Sequence, residues 1–550
     1  MKPIAPDKVV ETDILVLGGG VSGCGAALGA RDHGVDVVIV DKGSLDACGQ
    51  TGPGNANFHT VLDLGDWDSP EEYTKFWGKH GEATISLPIF HHAVSTQTHH
   101  MLKRLESIGI EFHRDPDGGY RRTAGLGQPY PWTTTMVNGV YFKRLLAKEV
   151  RKSGAKAAEH IMITKILVDE GEGRVIGAAG FHIRTGEFHV FRAKAVIVCL
   201  ATTNHRISTT STNNPFNAIY PFNTGSGPVM AHDAGARVLA LEKARATLIP
   251  VGFSAPGMAA FTGMGAYLVN AAGERYVFNY DDRGEQAPRK TIVQSTFKEI
   301  SEGRGPCFVD ARHLSKDDLE HMVKERLYVD GNTYPEYFAQ RGLDMGRDLM
   351  EIELGEIRGG GCLLLNNQLE SSVQGLFGYS PHILSHAMCG GYSSAIRASE
   401  YVMKNRHLLP VNGAQISEEK ERVFAPLQRE GGYSWREYED VVRQIMNYYV
   451  GYLRNQKGME LALRKLRRVE DHAGEVKAAN FHELLRANEL MHLLKYCQLV
   501  VRACMERKES GRNCYIRSDY PHMDPSWDDK EVVQWQEGGK PKIDTKRICK

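Results

Sequence analysis

Gly18, Gly20 and Gly23 stand at the spacing G-x-G-x-x-G, and a carboxylate, Asp41, follows them. Glycines in that pattern allow a tight turn and a close approach of backbone to a pyrophosphate. They also let the next helix pack closely against a strand, while a downstream carboxylate can hold ribose hydroxyls. The chemistry on offer is the binding of an adenine dinucleotide. Val21 and Ser22 in the turn and Lys42 beside the acid complete the expected contacts.

Such residues work only if secondary structure holds them. Asp13–Leu17 reads as an apolar strand, Ser22 to about His33 as a Gly/Ala-rich helix ended by Gly34, and Val35–Val40 as a second strand ending at Asp41. The helix N-terminus offers unpaired N–H groups and a positive dipole end to phosphate. Farther on, "AKAVIVCLA" (Ala193–Ala201) is a strand, and "TGSGPVMAHDAGARV" from Thr224 is a glycine turn entering a helix with Ser226. "GLFGYSPHILSHAMCGGYSSAIRASEYV" from Gly375 sets Gly390, Gly391, Ser393 and Ser394 at the start of another helix. A cofactor touched near residues 20, 50, 200 (Ala201 and Thr202) and 390 is extended and buried, which suits FAD. The helix expected to begin near Tyr392 would aim its positive end at the flavin ring.

Bulk properties set the frame. A chain of 550 residues exceeds one hydrophobic core, so two to four units are expected. Lys+Arg and Asp+Glu both number 67, so no charge excess points to nucleic acid or an anionic membrane. No apolar run suits a membrane span, and the N-terminal residues lack a signal-peptide core, so a cytoplasmic protein is expected. None of the 10 cysteines forms a CxxC pair, so no metal or iron–sulfur site is expected in this chain.

Several further segments resemble one family, the flavoprotein subunits of fumarate reductase and succinate dehydrogenase, with L-aspartate oxidase and adenylylsulfate reductase as relatives. "YLVNAAGERYVFNYDDRGEQAPRKTIV", "GRGPCFVDARHL" and "ERKESGRNCYIRSDYPHMDPSWDD" carry the likeness along with the motifs above. The resemblance implies an α/β fold: a split Rossmann-like FAD-binding domain (1–235 and 351–410) with an inserted α+β capping domain (236–350). A C-terminal helical domain (411–510) and an extended tail (511–550) follow. The Glu/Lys/Arg/Leu-dense segment 415–508 supports the helical part independently.

The departures from the family pattern bear on chemistry. Where fumarate reductases hang a covalent flavin on histidine in "SHTxAAxGG", this chain reads "DACGQTGPGNANFH", so non-covalent FAD is expected. Gly49, Gln50, Thr51 and Gly52 are expected near the pyrimidine side of the flavin. His59 follows that loop, either facing the site or as a hydrogen-bonded core histidine. Arg289, in "APRK", occupies the place of the family's proton-donating arginine, against the alternative of a structural ion pair. The Glu and Arg that feed that proton in the family are missing from "SAPGMAAFTGMGAYL". Glu356 and Arg358 stand near the family's substrate histidine, as substrate ligands or as a local salt bridge, and Cys389 replaces its clamp arginine. A carboxylate there repels fumarate, so fumarate itself is not the expected substrate.

The pattern leans to the adenylylsulfate reductase branch of anaerobic metabolism, with "IVDKGSLDACG" and "GYSSAI" similar to it. The expected function is two-electron reduction or oxidation of a small polar or anionic substrate, with electrons exchanged with an iron–sulfur partner subunit. Two alternatives stay open: an oxygen- or quinone-linked oxidase of the L-aspartate oxidase type, and a non-catalytic FAD-carrying scaffold.

Overall fold

In the computed structural model of the chain, the apolar run at Ile14–Leu17 becomes the end of β1 (Lys8–Leu17), fully buried. The structure describes residues 6–548 apart from 55–56, 80–85, 125–127, 170, 202–205, 213–219, 254–257, 324–333, 360 and 380–382. After β1 come α1 (Val21–Asp32) and β2 (Val37–Val40). Gly34 follows α1 with φ +71°, and Val35 N–H closes on the Ala30 carbonyl, the stop expected of a glycine after a helix.

A small sheet of β3 (Asn57–His59), β4 (Arg122–Thr123) and β5 (Thr133–Thr135) follows, with α2 (Pro70–Lys79) between its strands. After α3 (Phe142–Lys152) come β6 (Lys156–Ala158), β7 (Ile161–Asp169), β8 (Arg174–His182) and β9 (Phe188–Val198). The main sheet has seven strands in the order β6-β2-β1-β9-β8-β7, with β16 (Leu376–Gly378) also on β9. β6, β2, β1, β9 and β16 run parallel. Leu17 is in register with Val40 and with Val198, and Val198 with Gly378. Four loops therefore leave the sheet at one carboxyl edge, where open α/β sheets bind ligands.

The insertion builds its own core around a four-stranded antiparallel sheet ordered β11 (Ala244–Pro250), β14 (Met350–Gly359), β13 (Cys307–Asp310), β12 (Tyr267–Val269). Helix α5 (Arg289–Ser301) packs on it. The helical part holds α7 (Trp435–Val450), α8 (Gln456–Ala473) and α9 (Phe481–Glu506), capped at their N-termini by Ser434, Asn455 and Asn480. Helix α9 is apolar around most of its surface because α7, α8 and α4 (Ser226–Asp233) all cover it.

The end of the chain, expected as an extended tail, folds as a hairpin of β17 (Lys530–Glu537) and β18 (Lys540–Arg547). β17 pairs with β10 (Val238–Leu239), itself paired with β15 (Cys362–Leu363), so the hairpin is tied to the beginning and end of the insertion. Among the described residues no helix is long and apolar enough to cross a membrane.

Candidate functional site

The four loops at the sheet edge meet around the N-terminus of α1. A Cβ on Gly18 (φ +104°) would lie 2.8 Å from the Cys199 carbonyl oxygen, and one on Gly23 would lie 1.8 Å from the Gly18 carbonyl oxygen. These two glycines serve close packing. Gly20 differs: its Cβ would meet only the Gly49 Cα, at 3.8 Å, and its φ of −64° suits any residue. Packing alone therefore does not require glycine here, whereas a close approach by a ligand to the backbone would. Gly49 (φ +78°) could not carry a Cβ, which would approach Gly20 Cα to 2.9 Å. In Gly52 the obstacle is the Ala47 carbonyl oxygen, at 2.1 Å.

Helix α1 has no side-chain cap, and its first turn has no acidic residue. Among the described residues, the N–H groups of Gly20, Val21, Ser22 and Gly23 find no acceptor. Four open amides at the positive end of a buried helix form a receptor for a pyrophosphate. The Ser22 hydroxyl is engaged elsewhere, donating to the Tyr379 carbonyl at 2.9 Å, so its amide is what remains for a ligand. Asp41 accepts from the Gly19 and Gly43 amides, 2.7 Å each, one on each carboxylate oxygen. Each oxygen keeps a further lone pair for a ribose hydroxyl. Thr51 and Ser394 are buried with hydroxyl oxygens that have no partner among the described residues, as expected of groups that await a ligand. These residues fit FAD.

Lys42 does not point at a phosphate. Its ammonium lies 2.6 Å from Glu489 of α9, a fully buried carboxylate that also meets Arg206 and Arg486. Arg206 is bound as well to Glu439 of α7. Burial works to raise the Glu489 pKa, but its three cations overcome this and hold it at about 2. Tyr220 donates its N–H to Gln50 Oε1 at 2.8 Å, and Arg486 stacks on Phe222, so segment 220–222 links the cofactor loop to α9. Sequence patterns alone single out neither Arg206, Glu489, Tyr220 nor Lys143. Each acts through a partner far away in the chain.

His59, on β3, enters an aromatic cluster with Trp77, Tyr73 and His386. The Tyr73 hydroxyl shares hydrogen bonds with His59 Nδ1 at 3.3 Å and His386 Nε2 at 2.5 Å, and burial keeps that hydroxyl protonated. The Ser393 hydroxyl donates to the Ala93 carbonyl at 2.9 Å. Ser226 opens α4 after Gly225 (φ +69°), whose Cβ would strike the Tyr496 ring at 2.6 Å. Ala201 is exposed at the sheet edge, and Thr202 lies outside the described residues.

One expectation is corrected. The helix placed near Tyr392 starts at Leu384 and runs to Lys404 as α6. Gly390 and Gly391 therefore lie in mid-helix. A Cβ on Gly391 would lie 2.0 Å from the Ser22 carbonyl oxygen, and one on Gly25 of α1 would lie 2.4 Å from the Met388 carbonyl oxygen. These glycines let α1 and α6 touch backbone to backbone. Cys389 of α6 is fully buried, near Tyr73 and Tyr379, and burial pushes its thiol up, so it fills space.

On the insertion, half-buried Arg289 is the first residue of α5, after Pro288. Next to it, burial and then the nearby Arg512 lower the Lys290 pKa. No acid stands in this first turn, and Gln294 ties α5 to the Asn513 and Tyr515 carbonyls at 2.8 and 3.2 Å. The helix end thus carries two cations, with Glu509 and the Arg512 it pairs with close to Lys290. Glu356 and Arg358 lie on β14, where Arg358 is in register with Arg245 of β11.

Comparison with known proteins adds to this geometry. The family described as "FAD binding domain" matches residues 13–336, and that described as "Fumarate reductase flavoprotein C-term" matches 439–549. One subunit of the fumarate reductase (CoM/CoB) from Methanothermobacter marburgensis is 26% identical over 553 residues, covering 94% of this chain and 96% of the relative. An L-aspartate oxidase from Streptomyces coelicolor is 25% identical, covering 96% and 92%. The fold is similar to adenylylsulfate reductase from Archaeoglobus fulgidus (TM-score 0.88, 22% identity, 99% and 96% covered). It is also similar to quinol fumarate reductase from E. coli (TM-score 0.84, 20% identity, 98% and 97% covered).

Proposed function

Because the chain belongs to the FAD-binding domain family and carries a fumarate reductase flavoprotein C-terminal domain, we propose that it is the flavoprotein of a multi-subunit reductase for a small anion. It is an FAD-dependent oxidoreductase. FAD bound at the sheet edge supplies two-electron chemistry. The α1 amides would hold its pyrophosphate and Asp41 its ribose, and Thr51 and Ser394 would offer hydroxyls to the remainder.

The cofactor is held without a covalent link. The loop from Ala47 to Gly52 presents small and amide side chains and a Cys48 thiol that burial keeps protonated. The imidazole of His59 is engaged in the Trp77–Tyr73–His386 cluster instead.

The first turn of α5 supports the substrate reading: it carries Arg289, the residue to which the family resemblance gives anion binding and proton donation, beside Lys290 and with no acid in the turn. With Cys389 buried and neutral in the place of a clamp arginine, a dicarboxylate loses one of its charged partners. The substrate is therefore an anion other than fumarate, and the adenylylsulfate class leads. A partner subunit is supported by two relatives whose names describe them as subunits, and we take that partner to be an iron–sulfur subunit exchanging electrons with this chain. The test is to reduce the purified flavoprotein with a low-potential one-electron donor and add adenylyl sulfate, fumarate or oxygen in turn. Reoxidation by the sulfur anion supports this reading. Reoxidation by fumarate alone, or by air at full speed, overturns it, and the latter favours the aspartate oxidase type.

A further inference from the structure

Lys143, on α3, is 1% exposed, yet its ammonium is held by no carboxylate among the described residues. It donates to the Gly19 carbonyl at 2.8 Å and to the Leu45 carbonyl, and lies 3.5 Å from Cys24 Sγ. The neighbouring acid, Asp41, directs its oxygens at the Gly19 and Gly43 amides. The thiols of Cys24 and Cys48 are pushed up by burial, so they are neutral and leave Asp41 as the nearby negative charge.

A buried cation so placed needs further negative charge. The backbone shows where. In a trans peptide the C=O and the next N–H point in opposite directions. Lys143 pins the Gly19 carbonyl inward, so the Gly20 N–H is aimed the opposite way, away from the clamp. Among the described residues that amide finds no protein acceptor. The Gly19 N–H, held by Asp41, fixes the preceding peptide as well. By taking the Leu45 carbonyl too, Lys143 clamps the glycine turn to the start of the cofactor loop.

We propose that Lys143 is a positioning residue for a nucleoside diphosphate: it orients the Gly19–Gly20 peptide toward the diphosphate and supplies the buried positive charge that the diphosphate answers. This rests on the assignment of the dinucleotide to the sheet edge. A mere structural strut would matter to the empty protein. A charge that answers a phosphate matters more to the loaded protein than to the empty one, and more for a nucleotide with a diphosphate than for one without.

The test uses the full chain carrying K143M, and K143Q as a second neutral variant that keeps a donor. FAD retention is read from flavin fluorescence released on dilution, and ADP and adenosine are titrated into flavin-stripped protein. Both variants should release FAD at concentrations about 10- to 100-fold higher than the parent. ADP affinity should fall by a similar factor while adenosine affinity stays the same, and K143Q, which keeps a donor for the Gly19 and Leu45 carbonyls, should fold without nucleotide. Equal losses for ADP and adenosine, unchanged ADP affinity, or a K143Q protein that fails to fold without nucleotide would overturn the proposal. If neither nucleotide binds the parent chain, the site assignment itself fails instead.

Discussion

Replacing Glu489 by glutamine removes a charge that Lys42, Arg206 and Arg486 all address, at the seam between the cofactor loop and the helical part. The carboxylate is fully buried, so solvent screening takes little from the interaction. Its pKa falls from an ordinary 4.5 to about 2 on folding, although burial alone would raise it. At about 1.4 kcal/mol per pKa unit, that difference stabilises the folded state by about 3 kcal/mol at neutral pH. Losing one partner of a buried ion network costs a similar amount, about 3–5 kcal/mol.

The sign follows from the lowered value. The contribution is complete above the unfolded-state pKa and is lost as the pH falls toward about 2. Urea unfolding of the parent and E489Q, with FAD in excess, should show a gap of about 3 kcal/mol at pH 7. The gap should persist to about pH 5 and close between about pH 4 and pH 2. A gap that is absent at pH 7, or constant down to pH 3, would refute the reasoning.

Three other outcomes are expected. Gly20→Val should fold normally, because its φ of −64° and open surroundings tolerate a side chain, but flavin absorbance should be lost. A folded, yellow variant would contradict the pyrophosphate assignment. Arg289→Ala should keep its FAD while turnover falls at least about 100-fold, the scale of losing one preorganised electrostatic group; unimpaired steady-state rates would remove Arg289 from catalysis. Cys389, fully buried with its thiol pushed up, should escape iodoacetamide in the native protein. Rapid labelling of Cys389 seen by peptide mass spectrometry would show that its packing is misjudged.

The parallel core and its glycine turn were legible because they are local. Ile14–Leu17, Gly18–Gly23 and Val37–Val40 each announce strand, turn or strand within a few residues, and the register then fixes one ligand edge. Gly390 and Gly391 misled because a glycine pair reads the same at a helix start and at a helix crossing. What decides is the Ser22 carbonyl, which is remote in sequence and leaves no room for a side chain on Gly391. Lys42 shows a related limit: its place beside Asp41 suggests a cofactor contact, and only α9 brings the buried Glu489 with which it pairs. Lys143 carries no motif. Its role follows from α3 crossing beneath the glycine turn, a tertiary fact.

The central claim is that separate glycine turns close around a single FAD with no bond to the chain. The most direct measurement is acid precipitation of purified protein, with flavin assayed in the supernatant and intact mass in the pellet. The account predicts one FAD released per chain and a polypeptide at the bare mass of 61.2 kDa. A polypeptide heavier by one flavin, or a colourless protein that takes up no FAD when it is added back, would contradict it.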